Sequence, residues 1–360
     1  MSPRTTRTAA LLVVGVLTLT AGCAGGPALD EKPSVGIAMP TTKQLRWVAD
    51  GDNLSEQFGS LGFDVSMQYA DDDADAQVQQ IEEMVDQGVD ALVIGAVDAS
   101  ALTAVLSSAR EAGVSVVSYD RLIVGGADVD YYASFDNRRV GTMQANSLLE
   151  GVGVLDATGE PTGAKGPFAI ELFAGSPDDN NAHVFFEGAM AVLAPYLESG
   201  VLVVPSGQTT FEKVATPWWS PETAAARMAT LLGPYRAGTR LAGVLSPNDG
   251  IAQAVLPATA DLGYLPVVTG QDAEIPAVQS VARGEQHSTV YKDTRQLAEV
   301  TVQMVRSLLT GAEPEVNDTS SYDNGAGVVP TFLLSPQLVT KDNYRAVLVD
   351  SGYYTAEEIG

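Results

Sequence analysis

The segment QVQQIEEMVDQGVDALVIGAV, residues 77–97, contains the unit that decides the fold. Its first half places apolar residues such as Ile81 and Met84 at the spacing of one helix face. Gly88 follows, and a glycine there can take the left-handed conformation that ends a helix. Residues 90–97 then form a short apolar run that is typical of a buried strand. A helix that leads directly into a buried strand indicates a βαβ unit with a parallel sheet.

The same alternation extends in both directions along the chain. Strand-like runs lie upstream at residues 34–40 and 63–70 and downstream at residues 114–120. After a polar segment at residues 156–166 a second series begins, with the runs GPFAIELFAG, VLVVP, RLAGVLSP, LPVVTG and HSTVYK. A chain of 360 residues exceeds what one core usually serves, and 45% apolar content can fill two. The sequence therefore predicts two α/β lobes of similar architecture.

The N-terminus has the features of a secretion signal. Arg4 and Arg7 precede an apolar stretch at residues 9–19, and small residues lead to Cys23. The stretch is about half of the ~20 residues needed to cross a bilayer, so we predict a cleaved signal peptide at residues 1–22. Cys23 resembles the modified cysteine of a lipobox, which predicts a lipid anchor there. A plain signal peptide cleaved a few residues further on is the alternative.

Composition narrows the classes of ligand and chemistry. The formal net charge is −25, and a field of that sign repels phosphate backbones and anionic lipids, so we expect no nucleic-acid partner. A single cysteine excludes disulfides and thiolate metal clusters. No Walker A sequence, complete GxGxxG or GxSxG elbow occurs, and His183 and His287 lack a zinc-binding context. We therefore expect no enzyme, no cofactor and no metal.

One acidic stretch imitates a calcium loop. Acids at Asp71, Asp73 and Asp75, with Glu82 at the twelfth position, match an EF-hand, but Ala76 stands where the sharp turn needs glycine. A strand end followed by an acid-rich helix start is the preferred interpretation.

Polar residues collect where the predicted strands end. In open α/β sheets ligands bind beyond the carboxyl ends of the strands. Carboxylates, amides and cations there, with tryptophans nearby, suit the hydroxyls and the C–H face of a sugar. Helix capping for each Asp or Asn, and core packing for each Trp, are the alternatives. The strand-end residues are Lys43, Arg46, Trp47, Asp71, Asp72, Asp73, Asp98, Asp120, Arg121, Asp178, Asp179, Asn180, Asn181, Asn248, Asp249, Gln271, Asp272 and Lys292.

These residues lie in longer stretches that resemble the periplasmic sugar-binding proteins of the xylose-binding and multiple-monosaccharide-binding type. The resemblance covers nearly all of the chain, from residue 34 to residue 354. It is carried by RW at 46–47, QYADDD at 68–73, QIEEMVDQGVDALVIG at 80–95, SYDRLI at 118–123, SFDN at 134–137, ELFAGSPDDNNA at 171–182, SPND at 246–249, GQDAE at 270–274 and VYKDT at 290–294.

The resemblance implies a type I periplasmic binding protein fold, in which two Rossmann-like lobes with parallel sheets are joined by a three-strand hinge. It places the crossings near Asn137, Asp293 and Val328. The N-terminal lobe then comprises residues 34–136 and 293–327, and the C-terminal lobe residues 137–292 and 328–360, after a lipidated linker at residues 23–33.

The resemblance also implies the residues that contact the sugar. Trp218 is the alternative to Trp219 as the stacking plane, and the position of Lys43 is variable in the family. The implied set is Arg46, Trp47, Asp120, Arg121, Asp179, Asn181, Trp219, Asn248, Asp272 and Lys292.

The function so implied is that of a monomeric lipoprotein on the outer face of the cytoplasmic membrane. It would capture a monosaccharide of the xylose, glucose, galactose or arabinose type by hinge closure and deliver it to the permease of an ABC importer. Some family members also serve a sensor kinase, so a signalling receptor is one alternative. A sugar-sensing transcriptional regulator is another, but a signal peptide stands where its basic helix-turn-helix would precede the first strand.

Overall fold

The computed structural model describes residues 32–360. The predicted signal peptide, Cys23 and nearly all of the predicted linker lie outside the described residues. Among the residues described, no helix combines the length and the apolar character that crossing a bilayer requires.

The first lobe is built on a six-stranded parallel sheet. Each strand is apolar, and a helix follows most of them, as the alternation of apolar runs predicts. The strands stand in the order β11, β5, β4, β3, β1, β2. They are β1 (Ser34–Met39), β2 (Asp64–Tyr69), β3 (Ala91–Ile94), β4 (Ser115–Tyr119), β5 (Tyr131–Phe135) and β11 (Thr331–Leu334).

Helices cover both faces of this sheet. Ile81 and Met84 pack on one face, and Leu54 and Leu297 pack on the other. The acidic stretch that imitates a calcium loop is a helix start, because Asp73 caps a helix and accepts a hydrogen bond from the Ala76 amide. The helices of this lobe are α1 (Leu45–Ser60), α2 (Ala74–Asp86), α3 (Thr103–Glu111) and α11 (Thr294–Leu309).

The second lobe has a four-stranded parallel sheet in the order β7, β6, β8, β9. An antiparallel pair, β10 with β12, extends it, since the His287 amide donates to the Val268 carbonyl at 3.0 Å. The strands are β6 (Phe168–Leu172), β7 (Leu202–Val203), β8 (Leu241–Leu245), β9 (Val267–Val268), β10 (Ser288–Tyr291) and β12 (Gln337–Thr340). The helices are α4 (Asn137–Gly151), α5 (Asn180–Glu198), α6 (Phe211–Val214), α7 (Pro221–Leu231), α8 (Gly233–Arg236), α9 (Asp249–Ala258), α10 (Ile275–Arg283) and α12 (Ala356–Ile359).

Helices α4 and α5 pack closely because of two glycines. A Cβ atom on Gly141 would lie 1.9 Å from the Phe185 carbonyl oxygen, and one on Gly188 would lie 2.3 Å from that of Arg138. The backbone of each helix therefore touches its neighbour directly, which attaches α4 to the second lobe immediately after β5.

The structure differs from the prediction at the third crossing, which the sequence placed near Val328. Strand β11 pairs in parallel with β5, with Thr331 opposite Tyr132 and Leu334 opposite Phe135. The chain therefore leaves the first lobe only after Leu334, so the predicted boundary is too early. The apolar run at residues 327–334 reads as a strand in either lobe, and only the pairing with β5 assigns it.

The C-terminal segment contributes to the core of the second lobe. Leu348 and Ile359 are buried against Val278 and Tyr291 of the second lobe. The hydroxyl of Tyr354 donates to the Ala273 carbonyl at 3.0 Å. The tail therefore packs against the loop that follows β9.

Candidate functional site

Side chains from both lobes meet at the carboxyl ends of the parallel strands. Arg46 and Trp47 lie in the first turn of α1, after β1, while Asp120 and Arg121 directly follow β4. In the second lobe the polar candidate residues follow β6, β8, β9 and β10, and Trp219 lies after α6. Because parallel strands end at one edge of a sheet, this arrangement brings residues that are distant in sequence to one cleft.

A cavity of about 270 Å³ lies at this cleft, and we call it the inner cavity. All ten of the predicted sugar-binding residues line it. The lining residues are Gln44, Arg46, Trp47, Asp120, Arg121, Asp179, Asn181, Phe185, Trp219, Asn248, Gln271, Asp272 and Lys292.

Arg46 is the centre of a buried charge network in the first lobe. Its Nε and Nη2 atoms donate to Asp50 Oδ2 at 3.1 and 3.0 Å, and Nη2 also donates to Asp120 Oδ2 at 2.9 Å. The Tyr119 hydroxyl donates to the other oxygen of Asp50. Asp50 is fully buried and contacts the guanidinium on the side away from the inner cavity. Arg46 thus reaches the cavity in a fixed orientation.

The carboxylates of this network have unequal proton affinities. Burial raises the pKa of Asp50 to about 6, although the guanidinium of Arg46 opposes the rise. Burial would also raise the pKa of Asp120, but the charges of Arg46 and Lys292 outweigh it and hold that pKa below its ordinary value. Asp120 is therefore an ionised acceptor at neutral pH, and it faces the cavity.

The second lobe places a lysine and a carboxylate opposite this network. Lys292 is 2% exposed, and its Nζ atom lies 2.9 Å from Asp272 Oδ1 and 4.0 Å from Asp120 Oδ2. Asp272 Oδ1 is also 3.5 Å from Nη1 of Arg46. Opposite charges from the two lobes therefore interleave across the cleft.

The loop that carries Asp272 is held by a second buried acid. Asp249 accepts hydrogen bonds from Gln286 Nε2 at 2.8 Å, from Thr289 Oγ1 at 2.8 Å and from the Glu274 amide at 3.0 Å. Asp272 and Ala273 take left-handed backbone conformations, with φ of 93° and 53°. Burial and the charge of Glu274 raise the pKa of Asp249 well above its usual range.

Two of the predicted residues both cap helices and line the cavity. Asp179 Oδ1 caps α5, while Oδ2 lies 2.9 Å from Nε of Arg121. Asn248 Oδ1 caps α9 by accepting from the Ile251 amide at 3.0 Å. Capping and ligand binding are therefore compatible here, since each side chain has a second polar atom.

Asn181 joins the two lobes directly. Its Nδ2 atom donates to the Asp120 carbonyl at 2.7 Å, and its Oδ1 atom accepts from the Tyr132 hydroxyl at 3.2 Å. Together with the Arg121–Asp179 ion pair, these contacts hold the lobes in a closed arrangement.

The three tryptophans occupy different environments. Trp47 is buried in the first-lobe core, with the guanidinium carbons of Arg46 and Arg121 4.7 and 5.1 Å from its ring centroid. Trp219 is 6% exposed and lines the inner cavity, whereas Trp218 is 50% exposed and lies outside it. Of the two alternatives for a stacking plane, the geometry favours Trp219.

Three lining residues are additional to the predicted set. Gln271 precedes Asp272, and Gln44 lies two residues before Arg46, so both stand in stretches already marked as strand ends. Phe185 lies one helical turn after Asn181 on α5. Residues four apart share a helix face, so this spacing could have predicted that Phe185 lines the cavity. Lys43 is exposed and pairs with Asp72 at 2.9 Å, away from the inner cavity.

Unpartnered polar atoms are concentrated on this cavity. Within residues 32–360, most of the buried side-chain atoms that lack a hydrogen bond belong to its lining. Asp272 Oδ1 and Arg121 Nε each lie 2.9 Å from an oppositely charged atom, of Lys292 and of Asp179, but neither is aligned for a hydrogen bond. Since buried polar groups are almost always satisfied, these atoms point to a polar ligand. They are Trp47 Nε1, Arg121 Nε, Trp219 Nε1, Gln271 Oε1 and Asp272 Oδ1.

Known proteins are similar to this chain in both sequence and architecture. Residues 35–313 match the model of a family described as periplasmic binding protein domain. The chain is 50% identical over 357 residues to the multiple sugar-binding periplasmic receptor ChvE of Rhizobium radiobacter, covering 96% of this chain and 99% of that protein. It is 33% identical to the D-xylose-binding periplasmic protein of Escherichia coli (strain K12), covering 91% and 93%.

A solved structure extends the similarity to three dimensions. It is an ABC transporter solute-binding protein from Clostridium phytofermentans with bound β-D-glucose, with a TM-score of 0.86 and 44% identity. The match covers 91% of this chain and 100% of that chain.

Proposed function

The chain belongs to the periplasmic binding protein family, and from that membership we propose that it captures one monosaccharide in the inner cavity and delivers it to an ABC importer. Its homologues are solute-binding receptors, so the protein is a receptor and not an enzyme. The observation that carries the proposal is the set of buried, unpartnered polar atoms that face a small cavity between two lobes. Xylose and glucose are the first candidates among pyranoses, because the similar proteins bind them.

The sugar would be held by charge-assisted hydrogen bonds. Asp120 and Asp272 accept from hydroxyls, while Arg46, Arg121 and Lys292 donate to hydroxyl and ring oxygens. Such bonds are about twice as strong as those between neutral groups, and burial excludes competing water.

An aromatic plane completes the recognition. The indole of Trp219 would cover the C–H face of the ring, and Trp219 Nε1 and Gln271 Oε1 would bind remaining hydroxyls. A Cβ atom on Gly175 would lie 2.2 Å from the Trp219 ring, so only glycine leaves room for the indole in this position.

Binding would close the hinge by a shift of population. A sugar that contacts Arg46 of one lobe and Asp272 of the other has higher affinity for the closed form than for an open one, so it enriches the closed form. The permease, or a sensor kinase, would then recognise the closed surface.

Thermal shift is the first test. The chain from residue 24 is screened against neutral monosaccharides, sugar acids, amino acids and calcium, since a ligand that binds only the folded state raises the melting temperature. We expect a rise with xylose, glucose or a related pyranose. A rise with amino acids or calcium alone would contradict the proposal.

Two variants test the assigned residues by calorimetry with the best sugar. Asp272→Ala and Arg121→Ala each remove one partner of a buried charge pair, so each should weaken affinity by about 30-fold or more without unfolding the protein. Asp261→Ala, which removes an exposed partner of Arg236, is the matched control. Near-normal affinity in Asp272→Ala or Arg121→Ala would refute that residue's role.

Membrane attachment through Cys23 is a separate part of the proposal. Cys23→Ala expressed in a bacterial host should move from the membrane fraction to the soluble extracytoplasmic fraction and lose radiolabelled palmitate. A labelled variant would show that the anchor lies elsewhere.

A further inference from the structure

A second and larger cavity adjoins the inner one. The space along it, part of which is open to solvent, is about 1370 Å³, and we call it the outer cavity. Gln44, Trp219 and Asn248 border both cavities. These three side chains therefore separate a ligand in the inner cavity from the outer cavity.

The partition between the cavities is made of side chains that are free to contact a ligand. Gln44 stands at the start of α1 without capping it, and its amide makes no hydrogen bond within the described part of the chain. Asn248 uses Oδ1 as a helix cap and leaves Nδ2 available. The two amides of this partition suit a glycosidic oxygen and its neighbouring hydroxyls.

Trp218 provides an aromatic wall for the outer cavity. Half of its surface is exposed, which is unusual for so large an apolar side chain beside a cleft. Its backbone has a φ of 58°, and its amide donates to Ser176 Oγ at 2.9 Å. A left-handed residue costs about 1–3 kcal/mol, so the surrounding contacts hold this indole in place.

The outer cavity also has polar groups on its walls. The carboxylate of Glu274 lines the outer cavity and accepts no hydrogen bond from any residue in the range 32–360. Burial and the charge of Asp272 raise its pKa to about 7, so it can either donate to or accept from a hydroxyl near neutral pH. Lys43 reaches the cavity from the first lobe. An indole, a carboxyl group, an amide and an ammonium repeat the chemistry of the inner cavity.

We propose that the outer cavity is a second subsite, in which Trp218 stacks on the group linked to the sugar in the inner cavity, so that the receptor takes O-glycosides as well as free monosaccharides. The attached group is a second sugar ring or an aromatic aglycone, since both offer a flat face to the indole. This inference rests on the proposed function, because it requires a sugar in the inner cavity.

Calorimetry on the chain from residue 24 tests the subsite. The ligands are D-glucose, D-xylose, cellobiose, maltose and the α- and β-anomers of 4-nitrophenyl D-glucoside, which separate a second ring from an aromatic group. We expect at least one glycoside to bind. Trp218→Ala should weaken that glycoside by about 3- to 10-fold and change glucose or xylose affinity by less than about twofold.

Two further variants keep the result interpretable. Leu265→Ala removes another large exposed side chain that lies outside the outer cavity and should change neither affinity. Glu274→Gln, from a different wall, should also weaken the glycoside more than the free sugar, which covers the case in which Trp218→Ala folds poorly.

The outcomes separate this inference from the proposed function. If glucose or xylose binds and none of the glycosides does, the subsite is refuted and the proposed function stands. If Trp218→Ala and Glu274→Gln weaken free sugar and glycoside equally, the subsite is refuted as well. Binding of glycosides alone would overturn the monosaccharide proposal and retain the subsite, and no binding of either class would overturn both.

Discussion

Each lobe holds a fully buried carboxylate behind the inner cavity, and the two have different partners. Asp50 contacts a cation, since Arg46 donates two hydrogen bonds to it. Asp249 accepts hydrogen bonds from an amide, a hydroxyl and a backbone N–H group and, within the described residues, pairs with no cation. Asp50 therefore balances a charge that reaches the ligand, whereas Asp249 fixes the shape of the loop that carries Asp272.

The largest expected effect comes from removing the carboxyl group of Asp50. Asp50→Ala leaves the buried Arg46 guanidinium and the Tyr119 hydroxyl without this acceptor, so the free energy of unfolding should fall by about 3–5 kcal/mol. Urea unfolding of the ligand-free protein measures this.

Asp249→Ala is the matched variant in the other lobe. It removes the acceptor of three neutral donors but leaves no cation without a partner, so the free energy of unfolding should fall less, by about 1–3 kcal/mol. Equal losses in Asp50→Ala and Asp249→Ala would break the distinction between a charge partner and a loop holder.

A smaller effect is expected when the loop holder loses a neutral donor. Thr289 Oγ1 donates to Asp249 at 2.8 Å and accepts from the Ala273 amide at 3.1 Å. Thr289→Val keeps the shape but leaves the Ala273 amide without its acceptor and Asp249 with two of its three donors, so the free energy of unfolding should fall by about 1 kcal/mol. Calorimetry should show a larger loss of sugar affinity in Thr289→Val than in Thr289→Ser, which retains the hydroxyl. Identical behaviour of the two variants would show that the hydroxyl does not hold the loop.

The stability of the loop that carries Asp272 should also depend on pH, because Glu274 at its end has a raised pKa. Burial and the charge of Asp272 raise its pKa to about 7, with Arg46 opposing the rise, against about 4.3 in an unfolded chain. A raised pKa in the folded state means that stability is full below about pH 4.3 and is lost as the pH rises to about 7.

Glu274→Gln should therefore gain stability relative to the parent chain between those pH values, by at most about 1.4 kcal/mol per pH unit. Urea unfolding at several pH values measures the difference. Glu187→Gln, at an exposed ion pair with Arg138, is the control. Parallel curves for Glu274→Gln and the parent would contradict the expected gain.

The smallest effect is expected for an ion pair outside the cavities' buried networks. Lys43 pairs with Asp72 at 2.9 Å, but two thirds of the lysine side chain is exposed. Such pairs contribute about 0–1 kcal/mol, so Lys43→Ala should leave the unfolding free energy almost unchanged. A loss as large as that of Asp50→Ala would mean that exposure does not separate buried from exposed ion pairs.

The fold was predictable because its signals are local and repeated. Helix periodicity at residues such as Ile81 and Met84, followed by glycine and a buried run, indicates a parallel α/β sheet without further information. The resemblance to periplasmic sugar-binding proteins and the type I fold that it implies are both confirmed by the family match and by the solved structure.

Much of the candidate site was also predictable, for a geometric reason. Strand ends in a parallel sheet share one edge, so Arg46, Asp120 and Lys292 could be grouped before any contact was known. That rule does not reach Phe185, which enters the cavity from inside a helix, or Asp50, which lies behind Arg46.

The sequence alone thus determined most of the strands and helices, the two-lobed organisation and the residues at the strand ends, because each depends on periodicity or on position along the chain. Strands β5 and β12 are not among the predicted strands. The tertiary structure decided the pairing of β11 with β5, the choice of Trp219 over Trp218 for the inner cavity, and the roles of Asp50 and Asp249. These depend on contacts between residues far apart in sequence. Strand register, burial and the final positions of charges exist only once both lobes have packed.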